Sequence, residues 1–274
     1  MPRVFKIILP LLLFLPFLAE APRQHLREFF VGPAHPPLSV LFVGNSLTYA
    51  NDLPSVVKRF AAGSPLRSQI TVRSITPGSA RFSEHWRNGQ VAAELSQHRP
   101  DVLILQGQST EPLYEPRDFA QYAELLKAEA DRAHTTTVLF ATWARPRGDA
   151  YYRDPSSGGS PDEMQTRLNA AYESLASDLG AVLAPVGLAW QRAKRDIPEI
   201  ELLDGTQHPT PAGTYLAAAV LCRVLLQQSS VRSSYYGALP KQTALSLQRI
   251  ANAIPFGGDS ERKPQKGNGK KSNS

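Results

Sequence analysis

Five short apolar runs punctuate this chain, and each leads into a stretch with the three-to-four-residue apolar spacing of a helix. The runs are Ser39–Val43, Gln69–Ile75, Asp101–Gln106, Thr136–Trp143 and Ala181–Val186. The helical stretches are Leu53–Ala62, Phe82–His98, Arg117–Ala133, Pro161–Leu179, Thr210–Leu226 and Lys241–Ile254. The runs carry no two-residue alternation, as expected of strands covered on both faces. This order of elements predicts an α/β domain: a parallel sheet with helices on both faces.

The flanks differ from this middle. Residues 1–21 read as a signal peptide: Arg3 and Lys6, an apolar Ile7–Leu18, then Ala19-Glu20-Ala21. Pro10 and Pro16 break the apolar run, which is short for a membrane span. Pro22 follows the Ala-x-Ala site and presents the bond before it poorly, so an uncleaved N-terminal anchor is the alternative. In both cases the folded part is exported: periplasmic, secreted, or tethered at the outer face of the inner membrane. Residues 22–37, with Pro33, Pro36 and Pro37, read as a linker, residues 38–256 as the domain, and 257–274 as a disordered basic tail.

The net charge of +6 resides mostly in these flanks. Arg3, Lys6, Arg23 and Arg27 outnumber Glu20 and Glu28; Arg262, Lys263, Lys266, Lys270 and Lys271 outnumber Asp259 and Glu261. The middle is nearly neutral, which argues against a nucleic-acid groove. The one cysteine, Cys222, lies in an apolar helical stretch and reads as a packed thiol. The sequence has no Cys/His cluster with metal spacing, no Walker loop and no Gly-x-Gly-x-x-Gly after a strand, so neither metal nor cofactor is expected.

Chemistry concentrates where the first strand ends. In Leu41-Phe-Val-Gly-Asn-Ser46-Leu-Thr48 the strand stops at Gly44, and a helix begins near Leu53-Pro54. Ser46 thus stands in a strand-to-helix turn at the carboxyl edge of the sheet, where open α/β sheets bind their ligands. Gly-Asn-Ser is also ordinary turn and cap chemistry. A nucleophilic serine needs a base. His25 and His35 fall in the leader and linker, and His85, His98 and His134 in or beside helices. His208 differs, lying in Leu203-Asp-Gly-Thr-Gln-His-Pro-Thr-Pro-Ala-Gly213, stiffened by Pro209 and Pro211. Asp204 on the same loop is the candidate orienter of its ring. Ser55-Val-Val-Lys58 fits a Ser-x-x-Lys pair but falls mid-helix, where such spacing arises by chance. The long break Ala144 to Ser160 reads as a substrate-facing loop.

Together these segments resemble the SGNH (GDSL-type) hydrolase superfamily, close to its bacterial GNSLT-type branch of secreted members. The resemblance covers Leu38 to Ala253 and implies a flavodoxin-like three-layer sandwich with a five-stranded parallel sheet. Val43-Gly-Asn-Ser-Leu-Thr48 is similar to the first block, with Ser46 as nucleophile. Thr76-Pro-Gly-Ser-Ala80 is similar to the second, whose glycine N–H, here Gly78, donates to the oxyanion together with Ser46 N–H. Leu103-Ile-Leu-Gln-Gly-Gln-Ser109 is similar to the third, and Asp204 to His208 to the last. Two departures stand out. Gln108 occupies the place of the family's oxyanion asparagine, offering an NH₂ donor one methylene further out. The last block is Asp-x-x-x-His rather than Asp-x-x-His, so either the loop bulges to bring Asp204 to His208, or a backbone carbonyl orients the ring of a Ser–His dyad.

The resemblance implies a serine esterase acting on small acyl esters, foremost O-acetyl groups on carbohydrate, with no cofactor. Trp86, Trp143, Tyr151 and Tyr152 are candidates to stack on sugar rings and equally candidates for the core. Two other readings stay open: an acyltransferase or lipid esterase with the same triad, and an inactive SGNH domain that only binds.

Overall fold

The computed structural model describes residues 37–65 and 69–255. The leader and nearly all of the linker and tail expected from sequence lie outside the described residues. Five strands, β1 (Leu38–Val43), β2 (Ile70–Ile75), β3 (Val102–Leu105), β4 (Thr136–Phe140) and β5 (Val182–Ala184), pair in the order β2-β1-β3-β4-β5. Every pairing is parallel; Val40, for example, stands opposite Val72 on one side and Val102 on the other. This is the flavodoxin-like order.

Strand addition runs outward from β1 to β2, then reverses to β3. Right-handed crossovers on a sheet that reverses direction put the connecting helices on opposite faces. Accordingly α2 (Leu53–Ala62) covers one face, while α3 (Phe82–Arg87), α4 (Gln90–His98), α6 (Pro116–Arg132) and α7 (Pro161–Leu179) cover the other. After β5 the chain returns to the first face with α8 (Val186–Asp196), α9 (Pro211–Leu225) and α10 (Lys241–Asn252). Two four-residue helices sit at the carboxyl edge: α1 (Ser46–Tyr49) after β1, and α5 (Glu111–Tyr114) beyond β3.

The strands divide their side chains between two cores. Val40, Phe42, Val102, Ile104, Val138 and Phe140 point towards α2 and α9. Leu41, Val43, Leu103, Leu105 and Leu139 point towards α6 and α7. Because both faces are covered, apolar residues fill consecutive positions, and the expected lack of alternation follows. Helix α9 is buried from Ala212 to Leu225, which explains why its apolar residues run all round it. Its one cation, Arg223, is reconciled with burial by donating to backbone carbonyls, those of Ile254 (3.0 Å) and Ser229 (2.8 Å) among them. Cys222 is buried in the same helix, and burial pushes its thiol pKa up.

Some boundaries differ from expectation. The stretch Phe82–His98 breaks at Asn88-Gly89, where Gly89 takes φ 69°, so one expected helix becomes two. The last strand ends at Ala184 because Pro185 has no N–H for a ladder. Val186, expected to end the strand, and the residues after it, assigned no element, then form α8, which buries Val186, Ala189, Trp190 and Ala193 at helical spacing. The break from Ala144 to Ser160 contains two short 3₁₀ turns, Ala150–Arg153 and Pro155–Ser157, capped by the carboxylates of Asp149 and Asp154.

Gly213 opens α9 just after the His208 loop. A Cβ there would press on the Leu202 carbonyl and approach the Trp190 ring to 2.7 Å. Gly213→Ala is therefore expected to destabilise the fold by about 1–3 kcal/mol, read as a lower urea midpoint at unchanged slope.

Candidate active site

Ser46 stands where β1 gives way to α1, beside the reversal between β1 and β3. The turn that carries it is held by buried polar groups. Gln106, wholly buried at the end of β3, accepts through Oε1 from Asn45 N–H (3.0 Å) and the Thr48 hydroxyl (2.9 Å). A Cβ on Gly44 would meet that Oε1 at 2.6 Å, so the close approach of β1 to Gln106 requires glycine. Asn45 caps α1 by accepting Leu47 N–H (3.1 Å), and its NH₂ donates to the Ala80 carbonyl (3.0 Å). An aspartate there lacks that donor. His85, buried beneath the turn, faces the Gly44 carbonyl through Nε2 at 2.8 Å. Burial lowers its pKa, partly opposed by that bond, so the neutral ring with Nε2–H is the form that fits.

The His208 loop reaches Ser46 from the far side of the chain. His208 Nε2 lies 3.0 Å from Ser46 Oγ, across 162 positions of sequence. The loop is a closed unit: Asp204 N–H donates to the His208 carbonyl (3.1 Å), Thr210 N–H to Leu202 (2.9 Å), and Leu203 bridges Pro209. Two outside groups anchor it. Trp143 Nε1, on a ring stacked against Trp190 at 3.9 Å, donates to the Gln207 carbonyl (3.0 Å). Asn51 donates to the Pro209 carbonyl (2.8 Å) and Thr214 Oγ1 (2.9 Å). Asn51 and Asp52 both take φ 52°, a conformation asparagine and aspartate tolerate better than most side chains.

Asp204 does not bond the His208 ring. Thr206 stands between them: its Oγ1 is 2.9 Å from His208 Nδ1 and 2.6 Å from Asp204 Oδ1. The same Asp204 oxygen accepts Thr206 N–H (2.9 Å). The Thr206 hydroxyl and N–H bonds hold the Asp204 carboxyl below its usual pKa. Neither alternative drawn from the Asp-x-x-x-His spacing describes this loop, since the Nδ1 partner is a threonine hydroxyl.

The other two expected donors lie on neighbouring loops at the same edge. Gly78 is exposed in a Pro77–Ala80 turn, with Tyr49 of the Ser46 helix close by. Gln108 is half-buried. Its Oε1 accepts from Thr110 N–H (2.7 Å), Thr110 Oγ1 (2.9 Å) and Glu111 N–H (3.2 Å). With its oxygen so occupied, the orientation of the Gln108 amide is fixed and its NH₂ is the end left to donate. Glu111, only 2% exposed, joins the two loops by accepting Gln108 N–H (2.9 Å) and Phe82 N–H (3.1 Å). Burial pushes its pKa up to about 7 against the pull of those bonds.

Of the aromatic candidates, Trp143 is buried and committed to the His208 loop. Trp86 packs on the second core, and Tyr151 and Tyr152 on a small cluster with Met164 and Leu168. The exposed large apolar side chains among the described residues are instead Tyr49 and Tyr114, at 52% and 55%. Arg145, at the start of the 144–160 segment, donates to Ser109 Oγ (3.0 Å) and pairs with Asp149, which puts that segment beside the third block. Gln106 and Thr206 lie inside the third and last blocks and Asn51 lies just past the first, but none of them is given a role by the sequence alone.

No protein-family model matches the sequence, and neither does a curated protein. A solved structure described as an SGNH hydrolase, from Slackia heliotrinireducens, is 32% identical, with a TM-score of 0.59 over 69% of this chain and 98% of that one. This chain belongs to the SGNH hydrolase superfamily. Membership classes it with the SGNH/GDSL-type ester hydrolases. More distant SGNH-fold neighbours include a DUF4886 family protein from Bacteroides uniformis, 17% identical, TM-score 0.61, over 79% of this chain and 94% of that one. A catalytic mutant of an acetylxylan esterase from Geobacillus stearothermophilus is 13% identical, TM-score 0.52, over 68% of this chain and 93% of that one.

Glu111 gives this SGNH hydrolase a pH signature. Its folded pKa is raised from 4.5, so the folded form holds a proton that the unfolded chain releases between about 4.5 and 7. Stability contributed by this group is complete below pH 4.5 and declines as pH rises to 7, by about 1 kcal/mol per pH unit. Urea titrations of Glu111→Gln are expected to show a flatter stability–pH slope across this window than the parent protein.

Proposed function

We propose that this protein is an exported serine esterase that removes small acyl groups, foremost O-acetyl, from carbohydrate esters. The observation that carries the reading is the 3.0 Å approach of His208 Nε2 to Ser46 Oγ at the sheet's reversal point. A hydroxyl within hydrogen-bond reach of an imidazole is the pairing an acyl-enzyme mechanism requires. Export is the reading of residues 1–21, and a tether through the N-terminus is its variant. Among the described residues no helix is long and apolar enough to cross a membrane. Acetyl esters of carbohydrate are favoured by the fold shared with an acetylxylan esterase and by exposed Tyr49, whose hydroxyl lies beside Gly78.

In this reading His208 takes the Ser46 proton as Oγ attacks the acyl carbonyl. Charge collects on the carbonyl oxygen, facing the N–H groups of Ser46 and Gly78 and the NH₂ of Gln108. His208 then gives the proton to the departing sugar hydroxyl. Water, deprotonated by the same ring, attacks the acyl-enzyme and releases the acid and Ser46. Donors aimed at developing charge contribute most where water is excluded; Ser46, at 8% exposure, stands at the buried end of this group, while Gly78 lies at its exposed rim.

The full chain treated with a fluorophosphonate is expected to carry the adduct on Ser46 by peptide mass spectrometry, and to lose it in Ser46→Ala and His208→Ala. Gln108→Ala is expected to lower turnover of acetylated xylan about 10²–10³-fold. An unmodified Ser46 in folded protein overturns the esterase reading. Turnover confined to acyl-glycerol lipids keeps the serine chemistry and overturns the carbohydrate substrate.

A further inference from the structure

We infer that Thr206 is a positioning residue that fixes the His208 tautomer, and that Asp204 acts on His208 only through it. This rests on Ser46 and His208 forming the reacting pair. A hydroxyl has one proton to give and two lone pairs to accept with. At Thr206 three partners surround Oγ1: Asp204 Oδ1 at 2.6 Å, His208 Nδ1 at 2.9 Å and His208 backbone N at 3.1 Å. Asp204 carries no donor, so the hydroxyl proton goes to it. Both lone pairs then accept from His208, one from the backbone N–H and one from Nδ1–H. With the ring proton on Nδ1, Nε2 is bare and faces Ser46 Oγ, as a general base must.

The same bonds explain the extra residue in Asp-x-x-x-His. Gly205, at φ 93°, lets the chain double back so that Thr206 N–H and Oγ1 both meet Asp204 Oδ1. The loop spends its added residue on inserting a hydroxyl where a carboxylate would otherwise touch the ring. Two consequences separate this relay from direct carboxylate contact. Asp204→Asn keeps a carbonyl oxygen able to accept both Thr206 bonds, so the tautomer survives. In a direct Asp–His pair the same change gives the wrong tautomer and a loss on the order of 10⁴. Thr206→Val removes the acceptor and leaves Nδ1 without a partner.

The test is kcat and KM for p-nitrophenyl acetate, with fluorophosphonate labelling and ¹⁵N spectra of the histidine-labelled full chain at neutral pH. Thr206→Val is expected to lose about 10–10²-fold in kcat, the range for a hydrogen bond to a ring that becomes charged, with KM little changed. Thr206→Ser restores most of it. Asp204→Asn stays within about tenfold of the parent, and Asp204→Ala, which frees the hydroxyl proton to point at Nδ1, loses more. The His208 Nδ1 signal is protonated in the parent and shifts towards the other tautomer in Thr206→Val. Parent-like kcat and tautomer in folded Thr206→Val overturn the proposal, as does a 10³-fold or greater loss in Asp204→Asn. A parent protein that takes no label on Ser46 overturns instead the reading on which the relay rests.

Discussion

The arrangement hangs on β1 being paired on both sides. Once β2 has been added on one flank, β3 is added on the other, and the connections leave the two strands in opposite directions. The loops after β1 and β3 diverge there, the place where open α/β sheets form their ligand crevice. Ser46 lies at the end of β1, and Gln106 and Gln108 at the end of β3. Without the reversal, a helix connection would fill that space.

A crevice alone does not hold a serine and a histidine at 3.0 Å. The structure meets this with polar groups that are buried and almost fully committed. Gln106 links the two strand ends, Asn45 links the serine turn to the Gly78 loop, and Glu111 links that loop to Gln108. The Gln106, Asn45 and Phe82–Glu111 bonds are buried, so breaking one leaves a partner unsatisfied at about 1–3 kcal/mol. The loops at the site are thereby stiff without extra secondary structure. The His208 loop follows the same logic from the opposite side, pinned by Trp143 and Asn51. Its Thr206 and Asp204 are the exception, for they face solvent, and a hydroxyl relay in that setting serves orientation more than charge.

Much of this was legible in the sequence. The apolar runs determined the five strands and their covered faces, because continuous burial needs no alternation. Gly44, Ser46 and His208 were marked by local turn and loop patterns, and Gly78 and Gln108 by the resemblance of their segments to the SGNH blocks. The sequence by itself thus determined the fold class and the sheet edge on which chemistry resides. Tertiary structure decided the partners. That Asn51 holds the His208 loop spans 158 positions, and that Gln106 carries the serine turn spans 61, distances over which no local pattern reports. It also decided that Trp143 lies in the core while Tyr49 faces outward, since burial depends on what packs from elsewhere in the chain. The spacing Asp-x-x-x-His left open what meets His208 Nδ1, because φ at Gly205 sets how the loop folds back, and only the folded loop puts the Thr206 hydroxyl in that place.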